Sequence, residues 1–152
     1  MQRILFVCLG NICRSPLAEG IMLNLKNRYR LNLHIDSAGT ANYHVGEAPD
    51  KRTIANAKKN GIDLSALRAR QFTVSDFDEF DSIYVMDKTN LKNVLALAKN
   101  ETLKQKVVLF LEAVNKSDVV EVPDPYYGTE KNFEEVFQLL YKACETYSQQ
   151  FK

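Results

Sequence analysis

Short apolar runs that alternate with amphipathic helices dominate this sequence. Residues 4–7 are apolar at every position, which is typical of a strand buried on both faces of a sheet. The other predicted strands cover residues 31–36, 82–86 and 107–110, and the predicted helices cover 16–29, 50–60, 75–79, 90–99 and 133–151. Strands separated by helices favour parallel βαβ units with right-handed crossovers. We therefore expect an α/β fold, a small doubly wound four-stranded parallel sheet with helices on both faces.

Size, charge and cysteine content narrow the class of protein. The 152 residues suit a single domain spanning 1–152, and 20 basic against 19 acidic residues leave a net charge of +1. This balance gives no support for nucleic-acid or membrane binding, and no apolar run approaches the length of a membrane span or a signal peptide. The three cysteines do not form a secreted disulfide framework. We expect a cytoplasmic protein that is a monomer.

The loop after the first predicted strand has the composition of an anion site. Its sequence is Cys-Leu-Gly-Asn-Ile-Cys-Arg-Ser-Pro, and Ser15 and Pro16 are predicted to be the N-cap and first residue of the next helix. Gly10 and Asn11 tolerate positive φ, which suits a loop coiled so that its N–H groups converge. Such a strand–loop–helix junction also directs the positive end of the helix dipole at one point. The residues expected to bind phosphate are Leu9, Gly10, Asn11, Ile12, Cys13 and Ser15.

Two residues of this loop are candidates for catalysis. Cys8 lies beside the helix N-terminus and an arginine, which favours the thiolate and hence a nucleophile. Arg14 offers a planar fork that holds two phosphate oxygens, and the Ser15 hydroxyl can donate to the thiolate. Cys8 could instead be a buried strand-end cysteine and Arg14 a surface cation. A zinc site at Cys8 and Cys13 is disfavoured because no second Cys/His pair has ligand spacing.

The loop and several later motifs resemble those of the low-molecular-weight protein tyrosine phosphatases. Ser-Ala-Gly-Thr at 37–40, Pro-Asp at 49–50, Ala-Arg-Gln at 69–71, Met-Asp at 86–87 and Asp-Pro-Tyr-Tyr at 124–127 follow in the order of that family. The resemblance spans the whole chain. It implies hydrolysis of phosphotyrosine through a cysteinyl-phosphate, with protein or peptide substrates, inorganic phosphate as product and inhibitor, and neither a metal nor a cofactor.

A phosphotyrosine ester leaves as a phenolate, whose conjugate acid has a pKa near 10, so the reaction needs a proton donor. Asp124 lies between two prolines that stiffen its loop, and the family assigns its general acid to this aspartate. Taken alone, Asp124 could equally open a turn. The resemblance also implies a slot for the substrate ring with Tyr126 and Tyr43 as opposite walls and Leu9 below, and Tyr127 is expected in the same pocket.

The supporting residues include one departure from the family. There, a network that includes Ser37 and a histidine holds the residue at Asn11 in its strained conformation, but Leu67 stands in the place of the histidine. Cys13 is expected either to fill space behind the loop or to trap oxidised Cys8 as a disulfide. A thiol-dependent arsenate reductase and a protein arginine phosphatase remain alternatives. The first needs further cysteines, and here only Cys144 follows.

Overall fold

The computed structural model describes residues 1–114 and 118–152 and contains one sheet surrounded by helices. The strands are β1 (Gln2–Cys8), β2 (Leu33–Gly39), β3 (Ser82–Val85) and β4 (Val107–Leu109). The helices are α1 (Arg14–Tyr29), α2 (Lys51–Lys59), α3 (Asp76–Glu79), α4 (Lys88–Leu95), α5 (Glu101–Lys104), α6 (Phe110–Val114) and α7 (Glu130–Ser148), and a 3₁₀ turn over Gln149–Phe151 follows. All strand pairs are parallel, in the order β2-β1-β3-β4. The predicted fold class is confirmed.

The apolar run of β1 supplies both faces of the sheet, as predicted. Ile4 and Phe6 belong to a core cluster with α1 and α7, whereas Leu5 and Val7 belong to a second cluster with residues of α3 and α4. Successive side chains of a strand point to opposite faces, so a fully apolar run is needed only where helices cover both. Cys8 continues the first set and faces the α1 and α7 side.

The strand order brings the strand ends together beside one crevice. The chain passes from β1 to β2 on one side of β1 and then returns to β3 on its other side. In parallel α/β sheets this change of direction opens a crevice at the carboxyl ends of the strands, where ligands bind. The loops after β1, β2 and β3 all begin at this edge.

The predicted starts of the first helix and of the second strand are wrong. α1 begins at Arg14 with Cys13 as N-cap, so Ser15 is not the cap and Pro16 is the third helical residue. Proline is tolerated there because the first four N–H groups of a helix have no partner within it. β2 begins only at Leu33, because the left-handed Arg30 (φ 55°) ends α1, and it runs on to Gly39 in register with β1.

Capping residues determine where α2 and α4 begin. α2 matches its prediction, with Asp50 as N-cap and Gly61 (φ 82°) just beyond the end. α4 begins before the predicted residue 90, because Asp87 and Asn90 form a reciprocal capping box. The short helices α5 and α6 were not predicted. Among the described residues, no helix is both long and apolar enough to cross a membrane.

Candidate active site

A cleft of about 270 Å³ opens at the carboxyl end of β1. It is lined by Cys8, Leu9, Gly10, Ile12, Cys13, Arg14, Tyr43, His44, Asp124, Tyr126 and Tyr127. These residues come from the loop after β1, the loop after β2 and the loop before α7. The fold therefore brings the predicted nucleophile, arginine, carboxylic acid and aromatic residues to one place.

The loop after β1 (residues 8–14), here called the phosphate loop after the ligand predicted for it, is coiled tightly against the end of β2. Asn11 has φ 57°, a left-handed conformation that few non-glycine residues adopt. Thr40 N–H donates to the Cys8 carbonyl and Ala41 N–H to the Leu9 carbonyl, each at 2.9 Å. A Cβ on Gly39 would lie only 2.8 Å from the Leu9 carbonyl oxygen. Only glycine therefore allows β2 to approach the phosphate loop this closely.

Polar side chains behind the phosphate loop hold Cys8 and Asn11. Cys8 Sγ lies 3.0 Å from Ser15 Oγ, as expected for a hydroxyl that donates to a thiolate. Asn11 Nδ2 donates to Ser15 Oγ at 2.7 Å and to Ser37 Oγ at 2.9 Å. All four residues are buried. The side chains of Asn11 and Ser15 thus shape the loop from behind, whereas Leu9, Gly10, Ile12 and Cys13 line the cleft itself.

Arg14 is buried at the base of the cleft and has fixed partners on one side. Its Nη1 donates to Asp87 Oδ2 at 2.7 Å and to the Val122 carbonyl at 3.0 Å. Its Nη2 lies 3.7 Å from Asp124 Oδ2. Burial alone would lower the pKa of Arg14, but the nearby Cys8 sulfur and the Asp87 and Asp124 carboxylates raise it instead. The guanidinium is therefore a permanent cation with a fixed orientation.

The loop that carries Asp124 is tied to the same edge of the sheet. Val122 N–H donates to the Met86 carbonyl at 2.8 Å, which continues the ladder beyond β3. Asp124 Oδ1 accepts from Tyr126 N–H at 3.1 Å, and the carboxyl remains partly exposed in the cleft. The carboxyl group thus lies in the cleft, 3.7 Å from Arg14 Nη2.

Aromatic side chains form the mouth of the cleft. Tyr43 and Tyr127 are 73% and 96% exposed, whereas Tyr126 is 36% exposed and packs edge-to-face against Tyr127. The Arg52 guanidinium lies 5.4 Å from the centre of the Tyr126 ring and supports that wall from outside. The predicted aromatic residues all line the cleft.

The other two cysteines have different surroundings. Cys13 is mostly buried within the phosphate loop, and this burial raises its pKa to about 12, so its thiol is protonated at neutral pH. Cys144 is fully buried on α7, near the Ala18 carbonyl, and burial raises its pKa further still. Cys8, Cys13 and Cys144 are all free thiols. In the described part of the chain no group of three or more metal-ligating side chains comes together.

Three residues of the site were not predicted from the sequence. Asp87 holds Arg14; it belongs to the Met-Asp motif at 86–87, to which no role was assigned, and it directly follows a predicted strand at the ligand-binding edge. His44 lines the cleft next to Tyr43 and packs on Gly10. Glu19 accepts a hydrogen bond from Ser37. No local signal in the sequence distinguishes Glu19 from the exposed carboxylates of other helices.

The fold and the cleft define an α/β protein whose central parallel strand ends in a cysteine, beside the N-terminus of the next helix and a buried arginine. This arrangement is typical of an anion site. The family model described as low molecular weight phosphotyrosine protein phosphatase matches residues 3–152. The chain therefore belongs to this family. The low molecular weight protein-tyrosine-phosphatase YfkJ of Bacillus subtilis is 41% identical over 149 residues, covering 95% of this chain and 92% of the relative.

Solved structures give the same result for the fold. The chain matches a protein tyrosine phosphatase from Entamoeba histolytica with a TM-score of 0.92 and 39% identity, over 99% of this chain and 96% of that one. The YwlE arginine phosphatase, a protein of Bacillus subtilis, matches with a TM-score of 0.89 over 98% of this chain and 95% of that one. At 23% identity this second likeness concerns the fold alone.

Proposed function

We propose that this protein hydrolyses phosphotyrosine and other aryl phosphate monoesters through a cysteinyl-phosphate intermediate. The observation that carries this proposal is the convergence of Cys8, Arg14 and Asp124 on one aromatic-walled cleft. The substrates would be phosphotyrosine proteins or peptides, and inorganic phosphate would be released.

In the first step the Cys8 thiolate attacks phosphorus, and the bond to the phenolic oxygen breaks. Arg14 holds two of the phosphoryl oxygens and stabilises the charge that they carry in the transition state. Asp124 donates its proton to the departing phenolate. The placement of Asp124 in the cleft, 3.7 Å from Arg14 Nη2, supports this role.

In the second step Asp124, now ionised, takes a proton from water, and this water attacks the cysteinyl-phosphate. The sulfur–phosphorus bond breaks, and phosphate and the Cys8 thiolate result. The Ser15 hydroxyl at 3.0 Å supports this step, because it can stabilise the departing thiolate. No step draws on a metal ion.

The shape of the cleft supports a preference for phosphotyrosine. Tyr43 and Tyr126 line the same cleft as the phosphate loop and Arg14, so an aromatic ring would pack against the tyrosines while its phosphate reaches Arg14. A phosphoserine side chain is shorter and has no ring, so it would leave the two tyrosines without a contact.

The alternatives are a thiol-dependent arsenate reductase and a protein arginine phosphatase. A reductase of the first kind passes a disulfide to a further cysteine, and here the only cysteine after the phosphate loop, Cys144, is fully buried. This burial favours a phosphatase. An arginine phosphatase would use the same loop on a phosphorus–nitrogen bond, so the two phosphatase activities must be separated by assay.

The test is the hydrolysis of matched peptides that contain phosphotyrosine, phosphoserine or phosphoarginine, in EDTA, with arsenate reduction measured in parallel. We expect phosphotyrosine to be the preferred substrate and arsenate reduction to be absent. The Cys8→Ser variant is the control, because it should abolish turnover while the loop and Arg14 still bind phosphate. Faster phosphoarginine hydrolysis, or turnover by Cys8→Ser, would contradict the proposal.

We further propose that the protein works in the reducing cytoplasm and that its activity is sensitive to oxidants. The three free thiols support the compartment, and the cysteine in an anion-binding loop supports the sensitivity.

A further inference from the structure

Glu19 is a buried carboxylic acid that the proposed mechanism does not use. It lies on α1 one turn beyond Ser15, so both side chains are on the face of the helix next to the phosphate loop. Ser37 Oγ donates a hydrogen bond to Glu19 Oε1 at 2.5 Å, a distance typical of a hydroxyl bound to a carboxylate. An acidic side chain is expensive to bury, so its position calls for a role.

The hydrogen bonds of Asn11 fix the direction of the network that reaches Glu19. Asn11 Oδ1 accepts from the backbone N–H of Arg70 at 3.0 Å, so the other amide atom is the nitrogen, with two hydrogens to donate. These go to the hydroxyl oxygens of Ser15 and Ser37. Both hydroxyl groups therefore act as acceptors toward Asn11, and each keeps its own hydrogen for another partner.

Each hydroxyl hydrogen then has an acceptor other than Asn11. The hydrogen of Ser15 is directed at Cys8 Sγ at 3.0 Å, which is closer than the Ala38 carbonyl at 3.4 Å. The hydrogen of Ser37 is directed at Glu19. The chain of hydrogen bonds thus runs from Asn11 in two directions and ends on the nucleophile at one end and on Glu19 at the other.

The residue at position 67 makes Glu19 the end of this network. The family resemblance implies a histidine there, but Leu67 is apolar and packs against the main core. Leucine can neither accept from Ser37 nor donate to it. In the structure Glu19 accepts the hydrogen bond of the Ser37 hydroxyl.

We propose that Glu19 is a positioning residue for the phosphate loop: its carboxylate holds Ser37, and through Ser37 it keeps Asn11 in the left-handed conformation that shapes the loop around Cys8. This proposal concerns the site of the proposed function and rests on it. Without this acceptor, the hydrogen of the buried Ser37 hydroxyl would have no partner, and Ser37 could turn away from Asn11. Asn11 would then lose one of its three hydrogen-bond partners, and the strained loop could relax.

The surroundings of Glu19 bring its pKa close to neutral pH. Burial is the main cause that raises its pKa, to about 7; the Ser37 hydrogen bond and Arg70 act in the opposite direction, and Asp36 adds to the rise. Arg70 is itself paired with Asp36 and Asp76. The acceptor at the end of the network is therefore fully charged only above neutral pH.

The test compares Glu19→Leu, Glu19→Gln, Ser37→Ala and the double variant Glu19→Leu/Ser37→Ala. Two quantities are measured: kcat for an aryl phosphate, and the protection of Cys8 from iodoacetate by inorganic phosphate, which needs no turnover. We expect Glu19→Leu to lower kcat roughly tenfold and to weaken phosphate protection several-fold. The double variant should be no worse than the poorer single one, since both changes remove the same hydrogen bond.

Glu19→Gln serves as the conservative variant, because its amide oxygen can still accept from Ser37. It should keep kcat within about threefold of the parent. A purely structural role for the carboxyl group would not produce this recovery by the conservative variant.

Additive losses in the double variant, equal losses in the Leu and Gln variants, or full activity in Glu19→Leu would each overturn the proposal. Thermal unfolding is measured alongside, so that a loss of kcat in a variant that remains folded is separated from a loss of the folded state. If the parent hydrolyses none of the aryl phosphates, the proposed function fails, while the phosphate-protection arm still reports on Glu19.

Discussion

One side of the Arg14 guanidinium binds other parts of the protein, and the other side is directed into the cleft. Nη1 is occupied by Asp87 and Val122, and Nη2 points toward Asp124. A lysine has one nitrogen and cannot satisfy both sides at once. The planar fork is therefore a requirement of the geometry as well as of phosphate binding.

Arg14→Lys should reduce kcat/KM for aryl phosphates by roughly 10²–10³-fold, as the loss of a fixed oxyanion donor does elsewhere. Steady-state kinetics on the purified variant measure the loss. Arg68→Lys is the matched control, since Arg68 is exposed and donates only to nearby backbone carbonyls. A loss of less than tenfold in Arg14→Lys would show that charge alone is sufficient.

Asp124→Asn should slow hydrolysis by roughly 10²–10⁴-fold, because asparagine keeps the shape of the side chain but has no proton to give to the phenolate. The loss should be largest for the most basic leaving groups and should shrink for activated phenols. Rates for a series of substituted phenyl phosphates test this, with Asp118→Asn, also exposed in the chain before α7, as control. A loss that is the same for every leaving group would argue against a general acid.

The phosphate loop depends on its neighbours as an element. Its left-handed residue, Asn11, is held by side chains from α1 and β2 and by the backbone of Arg70, and the end of β2 lies directly against its backbone. The conformation is therefore a property of the assembled sheet edge.

Gly39→Ala should damage the site although it changes no polar group. The added methyl would lie 2.8 Å from the Leu9 carbonyl oxygen and 3.1 Å from the Asn11 nitrogen, so the phosphate loop must shift. We expect weaker phosphate binding by calorimetry and a loss of about 1–3 kcal/mol in the free energy of unfolding. Unchanged phosphate affinity would mean that the loop accommodates the methyl without cost.

The same loop is expected to be the point at which oxidants act. Peroxide should oxidise the Cys8 thiolate to the sulfenic acid, and the Cys13 thiol should then form a disulfide with Cys8 and release water. We expect inactivation that dithiothreitol reverses and bound phosphate slows. Because Cys13 has a pKa of about 12, disulfide formation should become faster as the pH rises.

Cys13→Ser is the matched variant for this prediction. It should keep near-normal activity under reducing conditions but recover poorly after peroxide, because sulfenic acid without a partner oxidises further. If the variant recovers as fully as the parent, Cys13 only fills space.

For the whole molecule, burial of Glu19 couples folding to pH. Its folded pKa of about 7 lies above the ordinary value of 4.5, so the folded state binds this proton more tightly than the unfolded chain does. The stability that this provides is fully present below pH 4.5 and is lost as the pH rises through 7. The folded protein is thus less stable when Glu19 is ionised, although the carboxylate is the form that we propose to hold Ser37.

Between pH 5 and pH 8, the parent should lose up to ~3 kcal/mol of unfolding free energy relative to Glu19→Gln, which cannot titrate. Urea unfolding of both proteins at several pH values measures this difference. The other titratable groups are the same in both proteins, so their contributions to the unfolding free energy cancel. A constant difference across this range would mean that Glu19 has an ordinary pKa.

The fold and most of the lining of the cleft were predictable because local patterns encode them. A fully apolar run such as that of β1 predicts a buried parallel strand, and parallel strands with helical crossovers place the following loops at one edge. The composition of the loop after β1 then indicated an anion site, and the motif around Asp124 indicated its partner.

The remaining features depend on contacts between residues that are far apart in the chain. Arg14 meets Asp87 across 73 positions and Val122 across 108, and Asn11 meets Ser37 across 26. Serine is a residue type that favours the N-cap position, but in the folded chain the Ser15 hydroxyl makes hydrogen bonds with Asn11 and Cys8 instead. Helix and strand propensities act over a few neighbouring residues. Hydrogen-bond partners, in contrast, are the polar groups that the packing of helices and strands places within about 3 Å of each other. The role of Glu19 became visible only when that packing placed it beside Ser37.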